Sequence, residues 1–242
     1  SLKMLPRSES DLRFNRIRDQ LVSRGWFEAI TYSFVDSDLQ SQLTPLRRSV
    51  ELANPLSSDM SVMRTTLWCG LLKSLIYNVN RQEEEVRLFE SGLCFSLSTN
   101  RSSFALEDIE QVNRLAGGAC GRRELENWAN SSELIDFYDV KGDLESILAL
   151  SGALEKFTIS AEVHPALHPG QSAIIEKNGH NVGYIGMLDP RIQRSLGSRD
   201  PIYLFEIEMN AVISKSLAHH SPISRFPEVR RDIAIIVDQE IT

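Results

Sequence analysis

Apolar residues recur at helical spacing in three stretches of the chain and at strand spacing in several others. Over residues 8–24, Phe14, Ile17 and Leu21 share one helical face; Ser8 or Ser10 can cap the first turn, and Asp11 suits the positive end of the helix dipole. Gly25 ends that helix, because a residue that tolerates the left-handed conformation makes a good stop. Residues 26–35 (Trp-Phe-Glu-Ala-Ile-Thr-Tyr-Ser-Phe-Val) are rich in aromatic and β-branched side chains and predict a strand. A short strand over 50–53 leads to a turn at Asn54-Pro55. The second helix is expected over 65–80. There Leu67, Leu71, Leu75 and Val79 form one stripe, and Trp68, Leu72 and Ile76 form a neighbouring one. Together they exceed the ~100° apolar stripe of an ordinary surface helix, so more than one side should be covered, by the chain's own sheet or by a partner.

Beyond a polar break at 81–85, strands are expected over 86–96 and 112–120, with a polar stretch at 98–110 between them. A third helix is expected over 136–150, carrying Phe137, Val140, Leu144, Ile147 and Leu148 at helical spacing. Gly142 inside it costs ~1 kcal/mol relative to alanine, which suggests close approach of another backbone. The clearest local signal is Asn178-Gly179 between apolar-rich runs 172–177 and 180–187, a hairpin whose turn demands positive φ at both central residues. A last core strand is expected over 202–209. Strands in hairpin-like runs outnumber helices, which predicts α+β architecture with a mainly antiparallel sheet. Residues 219–227 have the composition of a linker, and Arg231 to Val237 predict one further strand. The expected division is a domain over 1–214, then a linker and the opening strand of a second domain over 215–242, as in one piece of a larger protein.

Composition narrows the function. With 42% hydrophobic and 24% charged residues, the chain can form a sizeable core. The net charge is −7, and the arginines are scattered apart from Arg47-Arg48, Arg122-Arg123 and Arg230-Arg231, which does not support strong direct binding to DNA. No apolar run approaches the ~18–20 residues of a membrane span, and the first residues lack the apolar core of a secretory signal. Cys69, Cys94 and Cys120 form no C-x-x-C pair, and buried free thiols in a reducing, cytoplasmic compartment are expected.

Candidate chemistry is sparse. His164 and His168 are four residues apart, but Pro165 and Pro169 prevent the regular helix that would align them on a metal. There is no G-x-S-x-G, no Walker loop and no G-x-G-x-x-G. Gly117-Gly118 and Gly121 follow an apolar strand, where close strand packing explains them better than a phosphate nest. Asp136, Asp139, Asp143 and Glu145 cluster near the third helix. Asp139 and Asp143 share a face that suits Mg²⁺, and the acidic start of a solvated helix accounts for them as well.

Several stretches together resemble one family: Arg24 to Phe34, Asn54 to Arg64, Arg87-Leu88-Phe89-Glu90-Ser91-Gly92, Asp136 to Gly142, Leu167 to Ala173, and Ser224-Arg225-Phe226-Pro227 with Arg230-Arg231-Asp232. They are similar, in order and over essentially the whole chain, to the catalytic-like region of bacterial phenylalanine–tRNA ligase β subunits. The resemblance implies a class II synthetase core, an antiparallel sheet flanked by helices, degenerate and inactive. Its partner would be a catalytic α subunit, in a heterotetramer that joins phenylalanine to tRNA using ATP and Mg²⁺. Arg24-Gly25-Trp26 onward stands in the place of the dimer-forming motif 1, and Arg87 to Glu90 resembles the motif 2 strand. Active members carry a glycine-rich motif 3 ending in an ATP-clamping arginine, whereas here the late strand reads Leu204-Phe205-Glu206-Ile207-Glu208-Met209-Asn210-Ala211. Without that cation a triphosphate goes uncompensated. The resemblance therefore implies no catalytic, cofactor-binding or metal-binding residue in this chain. The interface and structural candidates are Phe14, Ile17, Leu21, Gly25, Trp26, Leu67, Trp68, Leu71, Leu75, Arg87 and Glu90. An active class II ligase core binding ATP on the same sheet is the competing expectation. Asp189 stands where the family usually has histidine, in what is expected to be a surface turn.

Overall fold

A computed structural model describes residues 12, 14–98, 108–124, 127–128, 133–214, 230–234 and 236. Its centre is a seven-stranded sheet in the spatial order β1 (Phe27–Glu28), β4 (Glu85–Leu97), β5 (Ile109–Gly121), β9 (Ile202–Glu208), β8 (His180–Leu188), β7 (Leu167–Lys177) and β6 (Phe157–Ala161). Every pairing is antiparallel except that of β1 with β4, which is parallel. A two-stranded ribbon of β2 (Phe34–Val35) and β3 (Val62–Met63) lies apart from it. The expected α+β class with a mainly antiparallel sheet is what forms.

Both faces of the sheet are covered. On one, α1 (Phe14–Ser23) and α4 (Phe137–Ala149) pack with Trp26, Phe89, Leu115, Ile185, Phe205 and Ile207. On the other, α3 (Trp68–Val79) packs with Val86, Ala116, Leu167, Leu188, Ile202 and Leu204. The broad apolar face of α3 is therefore covered inside this chain, by the sheet and by α2 (Ser37–Leu43), whose Leu39 and Leu43 join the same cluster. Adjacent glycines on β5 make this double cover possible. A Cβ on Gly117 would collide with the rings of Phe205 and Trp26, and one on Gly118 with Leu75 and Leu204 on the opposite side. Close packing, as expected, is the reason for that pair.

The Asn178-Gly179 turn forms with φ of 53° and 77°, joining β7 to β8 with Lys177 opposite His180. Gly25 takes φ of 83° after α1, as a helix stop should. Other expectations need correction. The strand over 26–35 divides into β1 and β2, which belong to different sheets, because residues 29–33 turn away to bind a buried carboxylate described below. The strand over 50–53 reduces to a single bridge between Glu51 and Val62. Gly142 has no heavy atom within 4 Å of where a Cβ would stand, so no second backbone approaches it. Asp189 is buried and caps α5 (Pro190–Ser195) by accepting from the amide of Arg191. Within 231–237 the described residues carry no strand, and Ile233 and Ile236 are exposed. The caps expected at Ser8, Ser10 and Asp11, and the linker over 219–227, lie outside the described residues.

Candidate functional site

Long-range polar contacts concentrate on the α3 face of the sheet. Glu206 of β9 is buried; it accepts from the hydroxyl of Thr66 at 2.7 Å, the amide of Leu67 at 2.8 Å and the guanidinium of Arg114 at 3.0 Å. One carboxylate thus joins β9, β5 and the segment leading into α3. The indole of Trp68 adds a bond to the Phe205 carbonyl at 3.0 Å. Beside this network a cavity of about 380 Å³ opens over β4, β5 and β9, lined among others by Arg47, Arg48, Thr65, Glu110, Arg114 and Glu208. Arg47, Arg48 and Arg114 thus line one cavity above the sheet together with Glu110 and Glu208, and Arg114 pairs with Glu206 beneath. Arg114 also lies 3.8 Å from Glu208. Burial first, and then the like charge of Arg114, push Arg47 below the usual arginine range.

A second buried network fixes the edge of the sheet. Arg64 donates to Glu90 at 2.6 Å and to the Leu93 carbonyl at 2.9 Å, and both charged side chains are buried. Glu90 also accepts from the Thr31 hydroxyl at 2.7 Å and the Thr31 amide at 3.3 Å. Thr31 is thereby pulled inward, which leaves its neighbours Ile30 and Tyr32 92% and 69% exposed, next to Phe27 at 69% on the outer strand. Three large apolar side chains cluster in sequence on the sheet's edge, where β1 pairs on one side only, with β4.

The eleven sequence candidates separate into two groups. Ile17, Leu21, Trp26, Leu67, Trp68, Leu71 and Leu75 are all within the chain's own core, with Phe14 packed against it. Their side chains serve this chain's own core, with Phe14 half-buried. Gly25 turns the chain into Trp26, whose indole donates to Asp143 at 2.7 Å and meets Phe205 edge-on at 5.6 Å. Arg87 donates to the carbonyls of Arg24 and Arg123 and lies 3.4 Å from Glu85. Glu90 belongs to the edge network. Sequence reasoning did not join Arg114 to Glu206, 92 residues away, nor place Arg47 beside them, nor single out the exposed Ile30 and Tyr32.

The acidic cluster is used locally. Asp136 and Asp139 form a capping box at the start of α4 and both pair with Arg123, while Asp143 is buried on Arg24 and Trp26. His164 accepts from the Ala166 amide and His168 from that of Gly170, each through Nδ1. Among the described residues no group of three or more His, Cys, Asp or Glu is placed to hold a metal ion. The three cysteines are free and buried, and burial pushes the thiols of Cys69 and Cys120 up to about 12.

Two solved structures of pyrrolysyl-tRNA synthetase from Desulfitobacterium hafniense share this fold. One aligns with a TM-score of 0.59 at 12% identity over 82% of this chain and 66% of that one. The other aligns at 0.59 and 14% identity, over 84% and 70%. The architecture is that of a class II aminoacyl-tRNA synthetase core. The chain belongs to the family described as the phenylalanyl tRNA synthetase beta chain CLM domain, whose model matches residues 1–209. It is 47% identical over 239 residues to the phenylalanine–tRNA ligase beta subunit of Hahella chejuensis, covering 99% of this chain and 29% of that protein. The corresponding subunit of Pseudomonas putida is 46% identical over 236 residues, with 98% and 29% covered. That of Photorhabdus laumondii is 44% identical over 240 residues, with 99% and 30% covered. The chain thus spans about three-tenths of the length of these relatives.

Proposed function

We propose that this chain is a non-catalytic docking module of a phenylalanine–tRNA ligase β subunit, and that it seats against the catalytic α subunit. The observation that carries the non-catalytic part is the chemistry of β9. Where an ATP-binding relative would present a cation, this strand presents Glu206 and Glu208 to the cavity side of the sheet. A triphosphate entering there meets Glu110 and Glu208 as well as the guanidiniums, with Glu206 beneath, which offsets much of the electrostatic stabilisation that adenylate formation requires. ATP, Mg²⁺ and phenylalanine would then be handled by the α subunit, and tRNA by the whole cytoplasmic assembly. The competing reading, an active ligase core, has the arginines in its favour but not their partners.

The docking part rests on Phe27, Ile30 and Tyr32, held at the sheet edge by the buried Arg64–Glu90–Thr31 network. Central apolar and aromatic anchors dominate stable interfaces, and truncating one commonly costs ~2 kcal/mol or more. The test is co-elution of the α subunit with the full-length β protein, comparing native with Ile30→Asp and Tyr32→Asp. Both side chains are exposed, so the fold should survive. A weakening of roughly 30-fold or more is expected for each. Unchanged assembly of both variants would refute docking through this edge.

A further inference from the structure

We propose that the cavity over β4, β5 and β9 is a binding site for one small oxyanion, a carboxylate or phosphate group held between Arg47 and Arg114. A guanidinium has five N–H donors in a planar fork suited to two oxygens at once. Arg114 is buried, yet among the described residues it makes a single hydrogen bond, from one terminal nitrogen to Glu206 at 3.0 Å. Its Nε has no partner, and Glu208 at 3.8 Å is beyond hydrogen-bonding distance. Arg47, half-buried, likewise makes a single bond among the described residues, to the Thr65 carbonyl at 2.9 Å. Buried donors normally find acceptors, and each exception calls for a reason. Here two under-used guanidiniums line the same cavity and repel one another, and Thr65 lies alongside. An oxyanion between them would accept from the terminal guanidinium nitrogens left without acceptors and relieve the repulsion.

The carboxylates Glu110 and Glu208 set the limit on size and charge. They share the lining, so they oppose a highly charged group such as a triphosphate more than one of one or two negative charges. The site is independent of docking through the sheet edge, since none of its lining residues belongs to the Phe27–Tyr32 segment.

The experiment is equilibrium dialysis of the full-length β protein against labelled inorganic phosphate and, separately, labelled acetate. One ion per chain is expected, with affinity falling ~10-fold or more in Arg47→Gln and in Arg114→Met. Binding of phosphate alone, acetate alone or both identifies the source of the oxyanion. Because Arg114→Met leaves Glu206 without its cation and can unfold the protein, a second readout uses the native protein. Phosphate or acetate should slow the modification of Arg47 by phenylglyoxal, read by peptide mass mapping. Absence of stoichiometric binding by the native protein at millimolar ion, or equal binding by Arg47→Gln, overturns the site. Either result leaves the docking proposal standing, and a protein that binds the ion but fails to capture the α subunit separates the two in the other direction.

Discussion

Replacing Arg64 by methionine tests the edge network with a magnitude worked from its geometry. Arg64 and Glu90 are both buried, and among the described residues their 2.6 Å contact is the one ion pair either makes. The variant keeps much of the arginine stem's packing but leaves Glu90 with only the Thr31 hydroxyl and amide. An uncompensated buried charge costs ~3–5 kcal/mol, far more than the net value of the pair itself. For a chain of this size each kcal/mol shifts the midpoint by ~2–4 °C, so a fall of roughly 10 °C or more is expected in a thermal melt followed by circular dichroism. Urea unfolding should give the same loss at an unchanged slope. The double variant Arg64→Met with Glu90→Leu removes both charges and should recover most of the deficit. If the single variant melts within ~1 kcal/mol of native, or the double variant is worse than the sum of the two singles, the network does not hold the edge as argued.

Two further outcomes follow from the packing. Gly117→Ala drives a methyl into Phe205 and Trp26 and should destabilise by ~1–3 kcal/mol, whereas Gly142→Ala, with open space around it in a helix, should stabilise by ~1 kcal/mol; urea denaturation of both gives the signs. Burial lowers His164 from 6.5 to about 4 against Trp68 and Tyr184, so the unfolded chain binds more protons between these values. Its contribution to stability is complete above pH 6.5 and is lost as pH falls toward 4. His164→Phe should therefore flatten the stability profile in that window, and an unchanged profile would show that the ring binds protons equally in the folded and the unfolded chain.

What the sequence made legible was local. The Asn178-Gly179 hairpin, the Gly25 stop and the internal stripes of α3 and α4 each depend on residues within a few positions of one another, and the structure has them where expected. The helix α2 was missed although its signals are present: Asp36 caps the Leu39 amide, and Leu39 and Leu43 are four apart. Its single apolar turn was too short to stand out between aromatic strands. The division of residues 26–35 could not be foreseen, because what bends that segment is Glu90, 59 residues from Thr31. The cavity was invisible for the same reason. Arg114 stands alone in sequence, and the antiparallel register that sets it opposite Glu208 brings the late strand's carboxylates to it. The late strand's lack of an arginine was visible from the sequence; that its glutamates neutralise arginines from elsewhere was not.

The central claim is that this sheet has kept its architecture without a nucleotide clamp. Calorimetric titration of the β protein, purified without its α partner, with ATP·Mg²⁺ tests it most directly. The account predicts binding no tighter than that of inorganic phosphate. Stoichiometric micromolar binding of ATP that disappears in Arg47→Gln would contradict it and restore the reading of an active ligase core.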